Sequence, residues 1–197
     1  MCTTSPEPDA ILARAIISTL VRKGVRVLAL DFDKTIVSVH TKGYWRQTTP
    51  KLAEYVRPCF RALLEAAISE CDIYVSVVTY SMQPQLIRDV LLRVLPHSDI
   101  SRVVIRTNAE DWAQKQVTFL GKQQHIAWLV TELFNRDHVM IQAHEILLLD
   151  DDIKNVQLAE EFGHQAYEVP EDVTLDLISE FVNDMNVVER LPATPTE

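Results

Sequence analysis

Val25-Arg26-Val27-Leu28-Ala29-Leu30-Asp31-Phe32-Asp33-Lys34-Thr35 runs from a short apolar, β-branched stretch straight into two acids and a hydroxyl. The first six residues read as a buried strand that stops at Asp31. The same grammar recurs along the chain. Ile73–Val78 reads as a second strand ending at Thr79, Val103–Ile105 as a third, Ile146–Leu149 as a fourth ending in Asp150-Asp151-Asp152, and Gln165–Val169 as a fifth. Helical spacing fills the intervals: residues 10–22, behind Asp9 as N-cap and closed by Gly24; 51–69, irregular at Pro58; 84–95; 122–135; 153–162, stopped by Gly163; and 173–188. Nearly continuous apolar strands alternating with helices predict a parallel sheet covered on both faces. The expected fold is α/β, a Rossmann-like three-layer domain with a mainly parallel five-stranded sheet. One domain over residues 10–189 is expected, with tails at 1–9 and 190–197.

Ligands of such sheets bind beyond the carboxyl ends of the strands. There the sequence places Asp31 and Asp33, Thr79-Tyr80-Ser81, and Asp150-Asp151-Asp152 with Asn155 close behind, while Gly121-Lys122 opens a helix. Four or five carboxylates cannot share a site ionised without a cation. Oxygen-only ligands suit a hard ion, and Mg²⁺ typically binds one or two carboxylates plus a substrate phosphate. A carboxylate beside Mg²⁺ can attack phosphorus. A second one, two residues on, can protonate the leaving group and then activate water. A hydroxyl and an ammonium can hold the phosphoryl oxygens. One Asp is enough to cap the helix after strand four, and three suggest a further role.

Asp31-Phe32-Asp33-Lys34-Thr35 resembles the Asp-x-Asp-x-Thr motif of the haloacid dehalogenase superfamily. Thr79 resembles its second motif, Lys122 its third, and Asp150-Asp151-x-x-x-Asn155 its fourth, all in the family's order across residues 25–169. Small uncapped magnesium-dependent phosphatases are the most similar branch. The resemblance implies Asp31 as nucleophile, with Asp33 as general acid/base that also offers a backbone carbonyl to Mg²⁺. It implies Thr79 and Lys122 on the phosphoryl group, and Asp151 as the aspartate ligand of Mg²⁺, with Asp150 and Asn155 supporting the site directly or through water. Which of Asp150 and Asp151 is the direct ligand stays open. Lys34 and Lys115 are rivals to Lys122, although a lysine at a helix start runs against the helix dipole.

The 43 residues between Thr35 and Thr79, and the 42 between Thr79 and Lys122, are too few to hold a large cap domain beside their own elements. The site is therefore expected to be open, accepting a phosphate on a small molecule or a protein while excluding water poorly. The resemblance implies that residues 36–49 form a short flap beside it, where Tyr44 and Trp45 either stack on a substrate or pack for stability. Residues 106–120, with Trp112, offer a second rim. The expected activity is hydrolysis of a phosphomonoester through an aspartyl-phosphate. A catalytically weak binding module or a phosphotransferase is the alternative.

The chain's 197 residues carry 28 Asp+Glu against 19 Lys+Arg, a formal net charge of −9, with 47% hydrophobic residues. That balance fits a folded domain and argues against extended nucleic-acid binding or a basic membrane-surface helix. No apolar run is long enough to span a bilayer, and the polar, Pro-containing start lacks signal-peptide character. Cys2, Cys59 and Cys71 are few, odd in number and widely spaced, which suits a reduced, cytoplasmic setting; Cys59 and Cys71 are expected to be ordinary buried thiols. The histidines show no zinc spacing, and the four glycines form no phosphate-cradling loop.

Overall fold

β1, Val27–Leu30, runs through the middle of a five-stranded sheet in the computed structural model, which describes residues 7–109 and 121–187. β2 (Tyr74–Thr79) and β4 (Ile146–Asp150) flank it; β3 (Val103–Thr107) and β5 (Gln165–Glu168) lie at the edges, in the order β3-β2-β1-β4-β5. Every pairing is parallel. Register places Leu30 opposite both Val77 and Leu149, so Asp31, Thr79 and Asp150 emerge along one edge. This is the expected Rossmann-like architecture.

Side chains along β1 alternate between two cores, as strand geometry requires. Leu28 and Leu30 join α1 (Pro8–Arg22), α3 (Pro58–Ser69), α4 (Pro84–Val94) and α7 (Leu175–Asp184) on one face. Val27 and Ala29 join α5 (Gln123–Asp137) and α6 (Ile153–Glu161) on the other. All four β1 residues are buried, which explains the lack of polar alternation in the sequence.

Two helix expectations are corrected. The segment 51–69 is not one helix but α2, Thr49–Ala53, followed by α3. Pro58 has no N–H to continue a helix, and it holds Arg57 extended at φ −68° and ψ 132°. The break frees Val56 to pair with Val37 and lets the Arg57 amide donate to the Ile36 carbonyl, tying the flap to the body. Asp9 is not the cap of α1. Pro8 begins that helix, and Asp9 sits in its first turn, where its charge suits the dipole. The last helix is shorter than expected, starting behind Thr174, whose hydroxyl accepts from the Leu177 amide.

Segment 36–78 holds only the flap, α2, α3 and most of β2, leaving no place for a cap domain there. Cys59 is buried and its thiol approaches the Val173 carbonyl, whereas Cys71 is exposed, against expectation, in the turn before β2. Trp112, Lys115 and most of the tails at 1–9 and 190–197 lie outside the described residues. Among the described residues no helix is long and apolar enough to cross a membrane.

Candidate active site

Phe32 separates the two acids that follow β1 and is buried in the core, at 1% exposure. Anchoring it leaves Asp31 and Asp33 both lining a cavity of about 210 Å³ at the carboxyl edge of the sheet. Thr79, Lys122, Asp150, Asp151, Asp152 and Asn155 line the same cavity. The four sequence motifs therefore converge on one place, although they are spread along the chain from Asp31 to Asn155.

Lys122 is the interior cation of the site. Its ammonium donates to Asp31 Oδ1 and to the Val78 carbonyl at 2.8 Å, and lies 3.7 Å from Asp150 Oδ2. At 1% exposure it has neutralising company for an otherwise costly charge. Burial opposes the ammonium, but Asp31 and Asp150 hold it charged, with its pKa above the usual lysine value. Lys122 enters α5 directly after Gly121, which has φ +62°. A Cβ at Gly121 would stand 2.7 Å from Leu158 Cδ2 and 3.3 Å from Asn155 Oδ1, so a glycine is what lets the chain pass close enough to bring Lys122 in. Lys34 also lines the cavity, but from its exposed side.

The Asp31 carboxyl is pushed up to about 7 by burial; Lys122 pulls against that shift and the Asp150 charge adds to it. Asp150 is fully buried. Its Oδ1 accepts from the Asp152 amide at 2.9 Å, and the Asn155 side-chain amide spans its two oxygens at 3.0 and 3.1 Å. Asn155 is itself oriented by Tyr80, whose hydroxyl donates to Asn155 Oδ1 at 3.1 Å. Asn155 thus supports Asp150 with both ends of its amide occupied. Asp151 is half-buried; desolvation and the neighbouring Asp150 raise its pKa. Asp152 caps α6 by accepting from the Lys154 amide at 3.0 Å.

One carboxylate oxygen each from Asp31, Asp150 and Asp151 lie within 4.8 Å of one another. Such an all-oxygen set fits a hard divalent ion completed by water and phosphate. Asp33 stands apart from that trio. Its Oδ2 accepts from the Thr41 amide at 2.9 Å and the Thr41 hydroxyl at 2.8 Å, and lies 2.6 Å from His40 Nδ1. Its Oδ1 is buried with no hydrogen-bond partner among the described residues.

The flap meets the cavity through His40 and Gly43. Tyr44 is exposed and Trp45 faces inward; neither lines the cavity. Trp45 packs edge-on against Tyr55 at 6.2 Å between ring centroids, and its indole N–H donates to the Thr48 carbonyl. Tyr80, whose ring lies 4.6 Å from the Lys122 ammonium, and His125, 5.8 Å from the Tyr80 ring, complete the surroundings. Neither His40 nor Tyr80 carries a spacing signal in the sequence beyond its nearness to Asp33 or Thr79.

No protein-family model matches the chain, and no curated protein sequence does. Two solved structures are similar in shape. The HAD domain of the Legionella pneumophila effector Lem4, an inactive mutant, superposes at a TM-score of 0.51 with 10% identity, covering 81% of this chain and 92% of that one. The N-terminal part of BF1531 from Bacteroides fragilis, containing a phosphatase domain complexed with Mg, superposes at 0.55 with 18% identity over 88% of this chain. The match spans 43% of that BF1531 chain. At such identities the likeness concerns the backbone, and on it the chain has the haloacid dehalogenase (HAD) fold.

Proposed function

We propose that this chain is a Mg²⁺-dependent phosphatase that hydrolyses a phosphomonoester through an aspartyl-phosphate on Asp31. The observation that carries the reading is the placement of Asp31: a buried carboxylate held by Lys122, with Asp150 and Asp151 in reach of one cation. The likeness to a phosphatase domain complexed with Mg supports the same chemistry. Asp31, Asp150, Asp151 and the Asp33 backbone carbonyl would hold the ion, with Asn155 steadying Asp150. When bound, Mg²⁺ offsets the charge of the acids and of the phosphoryl oxygens.

The protein's own groups then divide the work. An Asp31 carboxylate oxygen attacks phosphorus, forming the Asp31–phosphorus bond as the bond to the leaving oxygen breaks. Asp33, protonated at the start, gives its proton to that leaving oxygen. Water then attacks phosphorus and returns a proton to Asp33; the Asp31–phosphorus bond breaks and phosphate departs. The Thr79 hydroxyl and the Lys122 ammonium hold the phosphoryl oxygens through both steps. The substrate is a phosphorylated small molecule or protein. A cavity lined by the His40 side chain, which is 58% exposed, imposes little limit on the group carrying the phosphate.

Phosphate release from p-nitrophenyl phosphate with Mg²⁺ tests the reading. Wild type should turn over and Asp31→Asn should fall to background, as should wild type in EDTA. Equal turnover by wild type and Asp31→Asn would overturn it.

A further inference from the structure

We propose that His40 is a positioning residue for proton transfer by Asp33, fixing one carboxylate oxygen so that the other faces the leaving group. The inference rests on the reading of Asp33 as the proton donor. Three donors crowd onto a single oxygen, Asp33 Oδ2: the Thr41 amide, the Thr41 hydroxyl and the His40 imidazole. A carboxylate in water divides its hydrogen bonds between both oxygens. Among the described residues all of them fall on one, and Oδ1 is left buried without a hydrogen-bond partner there, in a residue that lines the cavity. That asymmetry keeps one oxygen for the reacting atoms and uses the other to set the orientation.

The donors come from a segment built to stay in place. Lys34 adopts φ +58°, turning the chain so that its own amide donates to the Val39 carbonyl, one residue before His40. Beyond His40, Lys42 and Gly43 also take positive φ, and the Gly43 carbonyl accepts from the Met82 amide at 3.0 Å. Gln83 grips Trp45 from both ends of the peptide, accepting from its amide and donating to its carbonyl. The flap is thus tied to the loop after β2 on one side and, through Arg57 and Tyr55, to the turn before α3 on the other. The His40 side chain is 58% exposed, so its contact is with Asp33 rather than with the core.

The test uses the dependence of kcat/KM on the leaving group, because proton donation matters little for nitrophenolate and more for a basic oxygen. Wild type, His40→Leu, His40→Asn and Asp33→Asn are assayed with Mg²⁺ on p-nitrophenyl phosphate and on phenyl phosphate, which share a shape. His40→Leu should lose about fivefold more on phenyl than on p-nitrophenyl phosphate. His40→Asn, whose amide can donate from near the position of Nδ1, should recover most of the difference. A merely structural role would lower both substrates alike and would not be rescued by Asn. Equal losses on the two substrates, or His40→Asn behaving as His40→Leu, would overturn the proposal. Asp33→Asn separates the layers. If it shows the leaving-group bias and His40→Leu does not, only the role of His40 falls. If Asp33→Asn shows no bias, the reading of Asp33 as proton donor falls and takes this inference with it.

Discussion

Lys122 concentrates the site's electrostatics in one side chain. Its buried ammonium donates to Asp31 and to the Val78 carbonyl and pairs with Asp150 at 3.7 Å. Lys122→Met keeps the volume but abandons two buried carboxylates side by side. Breaking a buried ion pair from one side costs roughly 3–5 kcal/mol. In metal-free protein at pH 8, urea unfolding should show a loss of that size, shrinking at lower pH as the stranded acids take up protons. Phosphatase turnover should vanish at any pH. Residues like Lys122 and Asp31 were legible because their meaning lies in their distance from a strand end or helix start, which hydrophobic patterning reveals. His40 was not, because the turn that returns it to Asp33 depends on positive φ at Lys34, a lysine with no local mark of that conformation. Trp45 leaves two readings open for a related reason: an aromatic beside a site can stack on a substrate or pack for stability, and only the contact with Tyr55, ten residues on, shows that it packs.

Elements position these residues through their junctions. Gly121 joins the segment before it to α5, and both Leu158 and Asn155 of α6 press on the place where a Cβ would be. Gly121→Ala must hold alanine at φ +62° and push the flexible end of Leu158 aside. The backbone cost alone is about 1 kcal/mol. Because the displacement falls on Asn155 and Lys122 together, activity should drop further than stability: a loss of about 1–2 kcal/mol by thermal unfolding, with kcat reduced about tenfold or more. Full activity in Gly121→Ala would show that the close approach does not set the site. The strands were read nearly to the residue, since four of the five are apolar runs with abrupt polar ends. The helix over 51–69 was not, because its apolar periodicity continues across Pro58 while its backbone cannot. There the local rule for proline outweighs the pattern, and the resulting turn is what anchors the flap.

Over the whole molecule, the acid surplus has an address. Asp31, Asp33, Asp150, Asp151 and Asp152 line one cavity, and without them the chain has 23 acids against 19 bases. Concentrating charge this way makes folding stability a function of pH through two groups of opposite sign. The Asp31 carboxyl is raised from 3.8 to about 7, so between those values the folded protein holds a proton that the unfolded chain has lost. That contribution is complete at low pH and fades as pH rises through 7. His125, buried near Lys122 and Arg106 and 3.0 Å from Asn108 Oδ1, is lowered from 6.5 to about 4, mainly by burial. Here the unfolded chain binds the extra proton, so stability is complete above 6.5 and fades as pH falls through 4, by roughly 3 kcal/mol. In EDTA the two slopes oppose each other across the same window, and each variant should unmask the other. Relative to wild type, Asp31→Asn should lose stability on acidification from pH 7 to 4, because only the histidine slope remains. His125→Asn should gain relative stability over the same interval, because only the carboxyl slope remains. Urea midpoints for the three proteins at pH 4.5, 5.5 and 7 check both signs, and parallel curves would mean that neither group changes its proton affinity on folding.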